Sequence, residues 1–404
     1  MILPGATLGI LGGGQTGRLF VAAARTMGYK VIVLDPDPDS PAAQLANGHL
    51  CASYTNRRAL DSLVRECAAI TTEFEHVPAE SLENLAALCP VRLSDAALAV
   101  AQDRIHEKRF LQENGFETAR FAVVEARNTL REALKHVGMP ALIKPGRSGC
   151  DGKRPRLVRN LGEAELAFED FGAKSCVLEK WIDIQTEISV VVARGDDANT
   201  VAYPPSENWY RDGILDMCVV PARIPPASAA AATRIALQIV ALLDYCGVIT
   251  VEFLVLEDGR LLVNEIVPYP DNSGYYTLDA CLTSQFEQQV RVLCGLPLGD
   301  PTLFRPAVMV NLLGDLWHKG REPDWRYVLR NPRAKLHLYG KCEARPGRKM
   351  GHFTCLSFSL EDALSHALEI RALTGTSWLD SAGFDQAAFG GEAHDPRRGI
   401  KLVS

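Results

Sequence analysis

The chain has 404 residues, so two to four domains are expected at roughly 100–200 residues per domain. A formal net charge of −6 argues against a surface that coats nucleic acid, and no apolar run reaches the ~18–20 residues needed to cross a bilayer. Eleven cysteines without a C-x-x-C pair, after an N-terminus that lacks a secretory pattern, indicate reduced thiols in a cytoplasmic protein.

The first quarter of the chain alternates strand and helix signals. Apolar β-rich runs cover Thr7–Leu11 and Lys30–Asp35, and a helical pattern at Gln15–Met27 separates them. A further run, Cys67–Thr72, leads into polar residues that would lie at the tip of a strand. Because strand–helix–strand order favours parallel pairing, the sequence predicts a doubly wound parallel-sheet domain over residues 1–98.

The remaining residues mix short strands with helices. A helix is predicted over Asp95–Asn114, where Gly115 ends it, and an alanine-rich helix over Ala227–Tyr245. The other predicted elements are strands at Ala141–Lys144, Cys176–Glu179, Glu187–Ala193 and Thr200–Tyr203, and helices at Ser284–Cys294 and Leu360–Thr374. We expect an α/β and α+β protein with three domains, at residues 1–98, 99–304 and 305–404, the last of them small.

A glycine-rich loop follows the first predicted strand. Gly12, Gly14 and Gly17 have the G-x-G-x-x-G spacing, and free N–H groups at the start of the next helix attract phosphate. Asp35, at the tip of the second strand, is placed to bind a ribose hydroxyl. A nicotinamide cofactor, another phosphorylated small molecule and a turn without a ligand all remain open.

A hairpin is predicted over Val248–Ile266, with Asp258-Gly259 as its two-residue turn. Antiparallel register around that turn places Glu252 directly opposite Glu265 on one face of the sheet. Facing carboxylates repel each other, and Mg²⁺ bridged by both would remove that repulsion. Asn264 would point to the other face unless the strand bends. The alternative is an exposed hairpin with two solvated glutamates.

Dispersed motifs resemble one family. Lys144 ends a strand before the glycine-containing loop Gly149–Lys153, and Asn264-Glu265 lies near the end of the hairpin. Further matching stretches are Gly14–Arg18, Thr72–Glu75, Gln102–Arg104, Asp212–Leu215, Asn272–Gly274, Ser284–Glu287 and Arg345–His352. Together they resemble PurK, the carboxyaminoimidazole ribonucleotide synthetase family of the ATP-grasp superfamily. The resemblance implies a three-domain ATP-grasp architecture with a Rossmann-like first domain and two α+β subdomains that clamp ATP.

The resemblance also implies a role for individual residues. ATP would be bound by Arg104, Lys144, Gly149, Asp151, Gly152, Lys153, Glu179, Lys180, Trp181, Ile182, Glu187, Tyr210 and Asn264. Glu252 and Glu265 would bind Mg²⁺, with Mn²⁺ as an alternative. The ribonucleotide and the acid would be bound by Gly14, Gln15, Glu73, Tyr269, Asp271, Asn272, Ser273, Arg345, Arg348 and Lys349. Lys153, Asn272 and Lys349 would be catalytic.

The chemistry implied by the resemblance is the ATP-dependent carboxylation of 5-aminoimidazole ribonucleotide. ATP and bicarbonate would give carboxyphosphate, and the amine would then take the carboxyl group, leaving ADP and phosphate. Such a reaction needs positioning, cationic stabilisation of the transferred phosphate and exclusion of water. A homodimer is implied, with small-molecule substrates and neither nucleic acid nor membrane as a partner.

The chain departs from the family pattern at several expected site positions. These positions are Cys150 and Arg154 in the glycine-containing loop, Tyr210, and Tyr269, Asp271 and Tyr275 in the loop after the hairpin. Tyr269 in place of an arginine removes a permanent cation, and Asp271 in place of a histidine introduces an anion, where the family site would hold bicarbonate or a carbamate. Three hypotheses therefore stay open: a carboxyaminoimidazole ribonucleotide synthetase, a PurK-like ligase with another acceptor or acid, and a noncatalytic nucleotide-binding relative. A nicotinamide oxidoreductase is disfavoured, because only the first glycine loop suggests it.

Overall fold

The computed structural model describes residues 1–74, 77–92, 100–147, 155–317 and 321–374. Its strands are β1 Thr7–Leu11, β2 Lys30–Leu34, β3 Gly48–Leu50, β4 Ala69–Thr72, β5 Phe121–Val124, β6 Ala141–Pro145, β7 Arg156–Val158, β8 Cys176–Lys180, β9 Thr186–Arg194, β10 Thr200–Ala202, β11 Ser206–Arg211, β12 Ile214–Val220, β13 Gly247–Val255, β14 Leu261–Val267, β15 Ala307–Leu313, β16 Ala334–Leu338 and β17 Lys349–Leu356. Its helices are α1 Gln15–Thr26, α2 Arg57–Glu66, α3 Ala79–Ala86, α4 Arg104–Glu113, α5 Leu130–Val137, α6 Leu161–Asp170, α7 Pro226–Leu242, α8 Thr277–Ala280, α9 Gln285–Leu293, α10 Arg326–Leu329 and α11 Leu360–Leu373. Within these ranges, no helix combines the length and the apolar character required to span a bilayer.

The first domain contains the predicted parallel sheet. Its strand order is β3-β2-β1-β4, and all neighbouring strands run parallel. Leu11 at the end of β1 pairs with Leu34 on one side and Thr72 on the other. The three strands therefore end together, which brings the glycine loop, Asp35 and Glu73 to the carboxyl edge where open α/β sheets bind ligands.

A helix begins at Arg104 within the segment for which the sequence predicts one helix over Asp95–Asn114. Asp103 has extended backbone and its side chain accepts the Ile105 N–H at 2.8 Å, so it caps α4. Aspartate is a preferred N-cap residue because its carboxylate satisfies a free N–H of the first turn. The single-helix prediction is therefore wrong at Asp103, and its residues 95–99 lie outside the described ranges.

Two further sheets form the rest of the molecule. The smaller has the order β5-β8-β6-β7, and the larger has nine strands in the order β14-β13-β9-β11-β12-β15-β17-β16, with β10 added beside β9. In the larger sheet β12 pairs with β15, so hydrogen bonding continues across residue 305. The division into domains at 98 and 304 stays a prediction. The continuous sheet places the Lys349 end of β17 on the same framework as the β13–β14 hairpin.

One hydrophobic core joins the first and last parts of the chain. Phe20 of α1, Phe286 of α9 and Tyr339 after β16 are all fully buried in it, together with Tyr275. Each large aromatic side chain buried in this way contributes several kcal/mol, on the order of 2–3 kcal/mol from removal of its apolar surface from water. The glycine loop, the loop after β14 and the C-terminal strands are therefore held together before any ligand binds.

Candidate functional site

The β13–β14 hairpin pairs Glu252 with Glu265, as the sequence predicts, but its turn and the register next to the turn differ from the prediction. The turn contains three residues instead of two, because the Leu256 N–H donates to the Arg260 carbonyl at 2.9 Å and Gly259 has a φ of +80°. This longer turn shifts the register by one residue near the loop. A bulge beside Glu252 then shifts it back. The predicted turn is wrong, and the predicted carboxylate pair is confirmed.

The bulge changes the orientation of Asn264. In a regular strand Asn264 would face away from the carboxylates, but an extra residue in one strand redirects the side chains around it. Its Nδ2 donates to Glu252 Oε2 at 3.5 Å, and its buried Oδ1 has no hydrogen-bond partner in the described part of the chain. An unpaired buried oxygen beside two carboxylates supplies the all-oxygen donor set that Mg²⁺ prefers, so these residues fit the ion.

Charge is concentrated around Glu252. Burial raises the pKa of Glu252 well above its usual value, and the carboxylates of Glu265, Asp271 and Glu187 raise it further. The Tyr210 hydroxyl donates to Glu252 Oε1 at 3.2 Å. Glu265 is more exposed and pairs with Arg104, whose Nη2 lies 3.4 Å from its Oε1. Converging buried carboxylates are stable as anions only beside cations, so the site is suited to a divalent ion.

Helix α4 contributes two buried charged residues that the sequence interpretation missed. Lys108 Nζ donates to the Asn264 carbonyl at 2.9 Å and lies 3.5 Å from Glu179 Oε2. Glu107 accepts the Ile266 N–H at 2.5 Å, and burial followed by the charge of Glu265 raises its pKa to about 8. Their spacing from Arg104, three and four residues along a helix, indicates a shared face and could have identified them.

Some of the residues predicted to bind ATP lie in or next to the smaller sheet. Lys144 Nζ donates to Glu179 Oε2 at 3.3 Å, and both side chains are buried. Trp181 and Ile182 pack on an apolar patch that contains Leu254. The predicted loop residues Gly149, Asp151, Gly152 and Lys153 lie outside the described residues, as do the substituted Cys150 and Arg154. Lys180 is turned outward, where its Nζ donates to the Met139 carbonyl at 2.8 Å.

The N–H groups of the glycine loop bind carboxylates of the chain itself. Gly14 and Gly17 donate to Glu73 at 2.5 Å each, and Gly13 donates to Asp35 at 2.7 Å. Gly12, with a φ of +104°, lies so close to Glu73 that a Cβ atom there would be 2.3 Å from Glu73 Cγ. The expectation of free N–H groups for a phosphate is therefore wrong in this state, and the anion at the start of α1 is Glu73.

Asp35 likewise has partners within its own domain. Besides the Gly13 N–H it accepts the Asp37 N–H at 2.8 Å and the Tyr54 hydroxyl at 2.6 Å. Its carboxylate therefore orders the loops at the carboxyl edge of the first sheet. The expectation that Asp35 binds a ribose hydroxyl has no support from these contacts, which use both of its oxygens.

A cluster of cations lies next to Glu73, and its centre is Lys341, which the sequence interpretation missed. The Lys341 ammonium donates to Gln15 Oε1 and to the Lys349 carbonyl, the latter at 2.6 Å. Burial, followed by the charges of Arg348 and Lys349, lowers the pKa of Lys341 to about 8. Lys341 precedes Arg345 by four residues, and this density of cations in one short segment was the available signal.

Arg345 and Arg348 lie at the rim of this cluster. Arg345 is exposed and pairs with Glu343 at 3.3 Å, and Arg348 donates to the Glu343 carbonyl at 2.8 Å. The turn that carries them is tied to the large sheet, because the Gly347 N–H donates to Asp315 Oδ2 at 2.7 Å. Cations that repel one another at this density form a ready site for a multiply charged anion.

The loop after β14 contains three of the six substituted positions. Asp271 caps a short 3₁₀ turn at Asn272–Gly274, since its Oδ2 accepts the Ser273 N–H at 2.9 Å and the Ser273 hydroxyl at 2.7 Å. The Asn272 amide pairs with that of Asn311, another residue that the sequence interpretation missed, whose Nδ2 donates at 2.7 Å. Tyr275 is fully buried, and its hydroxyl lies 3.0 Å from Thr16 Oγ1.

Tyr269, at the start of the same loop, lies apart from its other substituted members. It borders a small cavity together with Thr71, Arg92 and Gln289, between the first sheet and α9. The structure therefore brings together Asp271, Asn272 and Ser273, whereas it places Tyr269 towards the first domain.

Lys349 connects the carboxylate group with the cation cluster. Burial lowers the pKa of Lys349, and the carboxylates of Asp271 and Glu252 oppose that effect. Its carbonyl accepts the Lys341 ammonium, which also contacts Gln15. The hairpin carboxylates, the loop after β14 and the N-terminal glycine loop therefore converge on one site, and Lys349 lies between its two halves.

A second group of metal-binding residue types, Asp279, His337 and His352, is better described as a hydrogen-bonded network. Their ligand atoms lie within 4.8 Å of one another. The imidazole rings of His337 and His352 are stacked, with centroids 4.5 Å apart and planes 10° from parallel. Because a ring-nitrogen lone pair lies in the plane of its ring, two such rings cannot both direct one at a single ion. His337 instead contacts Asp279 at 2.8 Å, and His352 contacts Tyr339 at 2.7 Å.

Three family models match successive parts of the chain. A ribonucleotide synthetase preATP-grasp domain matches residues 5–102, and an ATP-grasp domain matches residues 109–286. A phosphoribosylaminoimidazole carboxylase C-terminal domain matches residues 307–366. The three matches follow the order of the sheets and together include both halves of the site.

Curated relatives and solved structures match the same length of chain. The N5-carboxyaminoimidazole ribonucleotide synthase of Bacillus subtilis is 39% identical over 358 residues, 88% of this chain and 92% of the relative. The enzyme of the same name from Brucella melitensis is 42% identical over 353 residues, 87% of this chain and 96% of the relative. The crystal structure of N5-carboxyaminoimidazole synthase from Aspergillus clavatus with ADP and 5-aminoimidazole ribonucleotide is 30% identical, with a TM-score of 0.83, covering 92% of this chain and 99% of that one.

Proposed function

The chain belongs to the N5-carboxyaminoimidazole ribonucleotide synthase family, PurK, of ATP-grasp ligases, and we propose that its site carboxylates 5-aminoimidazole ribonucleotide. The reaction joins bicarbonate to the amine and converts ATP to ADP and phosphate, a step of purine biosynthesis. The observation that carries the proposal is the position of Lys349. It lies between the Glu252 carboxylate and the Lys341 cation cluster, so that a nucleotide and a phosphorylated acceptor can bind side by side.

The nucleotide is assigned to the cleft between the smaller sheet and the hairpin. Lys144 and Arg104 would contact the phosphates, Trp181 and Ile182 would line the adenine side, and Glu187 would hold the ribose. Glu252, Glu265 and Asn264 would hold Mg²⁺, which when bound neutralises phosphate charge during transfer. Support comes from the facing carboxylates and from the unpaired Asn264 Oδ1 beside them.

The acceptor is assigned to the cleft between the first and last parts of the chain. Lys341, Arg345 and Arg348 would bind its phosphate, because several ammonium and guanidinium groups converge there. Glu73 and Gln15 would contact its ribose or its amine. Lys341 already contacts Gln15, so the two chain segments are arranged for one shared ligand.

The chain acts mainly by position and charge. Lys349 would orient the transferred anionic group between the nucleotide and the amine, and the Asn272–Asn311 amide pair would hold the surrounding loop in place. Tyr275 and Phe286 fill the space behind that loop and exclude water from a reactive carboxylated intermediate. No side-chain nucleophile is needed.

The biological setting is also part of the proposal. We place the enzyme in the cytoplasm as a homodimer, with small molecules as its substrates. The family resemblance supports this arrangement. Light scattering of the purified protein at micromolar concentration tests it, since a monomer would contradict the dimer.

The decisive experiment is product analysis with MgATP, labelled bicarbonate and 5-aminoimidazole ribonucleotide. We expect labelled N5-carboxyaminoimidazole ribonucleotide and one ADP per product. ATP binding without label incorporation would contradict the proposal and favour a ligase with another acceptor or acid. That outcome would direct attention to Asp271, whose carboxylate adds negative charge near Glu252. The double reversion Tyr269→Arg with Asp271→His would then be expected to raise incorporation.

A further inference from the structure

Glu179 is a buried carboxylate that two lysines share. It is 2% exposed, and its Oε2 lies 3.3 Å from Lys144 Nζ and 3.5 Å from Lys108 Nζ. Its other oxygen, Oε1, has no hydrogen-bond partner among the described residues. Although burial alone raises the pKa of Glu179, the ammonium groups of Lys108 and Lys144, followed by the charge of Arg104, bring it below its ordinary value. The group is therefore an anion that depends on its two cations.

The two lysines differ in how they are held. Lys108 is 1% exposed and also donates to the Asn264 carbonyl at 2.9 Å, so helix α4 and strand β14 both fix its ammonium. Lys144 lies at the end of β6, and within the described ranges its only hydrogen-bond partner is Glu179. Lys108 is therefore held by a backbone carbonyl, whereas Lys144 can exchange Glu179 for a ligand.

We propose that Lys108 is the permanent counter-ion of Glu179, which allows Lys144 to leave that carboxylate and bind the phosphates of the nucleotide. The inference rests on the proposed function, because it assumes that Lys144 contacts ATP. Removing the only partner of a buried charge is strongly destabilising. With Lys108 in place, Glu179 keeps a cation when Lys144 moves, and ATP does not have to compete for it.

The same contacts make Lys108 a positioning residue on the nucleotide side of the site. Its ammonium joins Glu179, on the adenine side, to the carbonyl of Asn264, which precedes Glu265 in β14. A Lys108→Met variant should therefore leave Lys144 as the only described residue that forms an ion pair with Glu179, with Arg104 farther away. ATP binding would then require that pair to break.

The test compares Lys108→Met with the wild-type enzyme in steady-state kinetics. We expect the KM for ATP to rise at least tenfold while kcat changes less than threefold and the KM for the ribonucleotide is unchanged. Lys135→Met is the matched control, because Lys135 is an exposed lysine that pairs with Glu132 at 2.8 Å. It is expected to leave every constant unchanged.

A second comparison separates this role from a merely structural one. In a Glu179→Gln background the carboxylate charge is gone, so adding Lys108→Met should change the KM for ATP less than threefold. A purely structural lysine would raise KM by the same factor in both backgrounds. If Lys108→Met alone does not fold, the comparison of Glu179→Gln with the double variant still tests the proposal, because a tenfold or larger difference in the KM for ATP between those two variants would contradict it.

The outcomes are distinct. A wild-type enzyme that neither binds nor consumes ATP would overturn the proposed function itself. An active wild-type enzyme whose Lys108→Met variant keeps the KM for ATP within threefold would overturn this inference alone.

Discussion

Glu73 is buried and Lys341 is partly buried, and their charges interact where the first and last parts of the chain meet. Burial raises the pKa of Glu73 to about 7, against the lowering effect of the Gly17 and Gly14 N–H groups. Burial lowers the pKa of Lys341 to about 8. Both groups therefore change protonation near neutral pH, and a phosphate beside Lys341 would favour its charged form.

The first prediction concerns stability and pH. The folded-state pKa of Glu73 lies above its ordinary value of 4.5, so folding favours the protonated carboxyl group. The contribution of Glu73 to the free energy of unfolding is therefore fully present below pH 4.5 and is lost as pH rises through about 7. A shift of this size corresponds to about 3 kcal/mol. In urea unfolding, the free energy of wild type relative to Glu73→Gln should fall by up to that amount between pH 4.5 and pH 8. An equal difference at both pH values would contradict it.

The second prediction concerns the facing carboxylates. Glu265→Gln should reduce Mg²⁺-dependent ATP turnover about 100-fold, corresponding to about 3 kcal/mol of lost charge stabilisation, and Glu252→Gln should reduce it less. Because Glu252 is already destabilised as an anion, its neutral replacement should leave the melting temperature in EDTA equal or higher. The measurement is ATP hydrolysis across a Mg²⁺ titration. Full activity in both single variants would place the metal elsewhere.

At the scale of elements, the hairpin and helix α4 together form the side of the site to which we assign the nucleotide. The bulge in β14 keeps Glu265 opposite Glu252 after a three-residue turn and brings Asn264 to the same side. Helix α4 packs Arg104, Glu107 and Lys108 against that strand. The start of α4 therefore controls where three charged groups meet the hairpin.

The third prediction tests this dependence through the helix cap. Asp103→Ala should lower the free energy of unfolding by about 1 kcal/mol, because the cap of α4 is lost. It should also raise the KM for ATP severalfold, because the first turn of α4 would no longer hold its charged side chains in place against the hairpin. Asn160→Ala is the matched control, since Asn160 caps α6 by accepting the Glu163 N–H at 2.9 Å, away from the hairpin. Asn160→Ala should lower the free energy of unfolding by a similar amount without changing the KM for ATP. A KM effect of equal size in both variants would refute the positional role.

At the scale of the whole molecule, the proposed acceptor site is built from opposite ends of the sequence. Lys341 and Gln15 are 326 residues apart and share a hydrogen bond, and Gln44 donates to the Gly340 carbonyl at 2.8 Å. The core that contains Phe20, Phe286 and Tyr339 holds these segments in place. A ribonucleotide bound here would contact the first and last domains at once.

The fourth prediction follows from that arrangement. Arg348→Ala with Lys349→Ala should raise the KM for the ribonucleotide at least tenfold, since each lost charge-assisted hydrogen bond is worth about 1.5–3 kcal/mol. The dissociation constant of ATP should stay nearly unchanged in calorimetry. Lys335→Ala, which removes an exposed cation from β16, is the control and should alter neither value. A matching loss of ATP affinity would assign these cations to the triphosphate.

Local patterns in the sequence correctly predicted the parallel first sheet and the pairing of Glu252 with Glu265. Alternating apolar runs and glycine-containing turns act over a few residues, so they can be recognised without the fold. The turn prediction was nevertheless wrong by one residue. The carboxylate pairing survived because the bulge compensates for the longer turn, and a bulge depends on packing that no local pattern displays.

Tertiary structure alone decided which charged residues from distant parts of the chain meet. Lys108 contacts the carbonyl of Asn264 from 156 residues away, and Lys341 reaches Gln15 from the other end of the chain. It also decided that the glycine-loop N–H groups bind Glu73. The physical reason is that buried charges take whichever partner the packed chain brings within hydrogen-bond reach, and the composition of a short segment does not specify that partner.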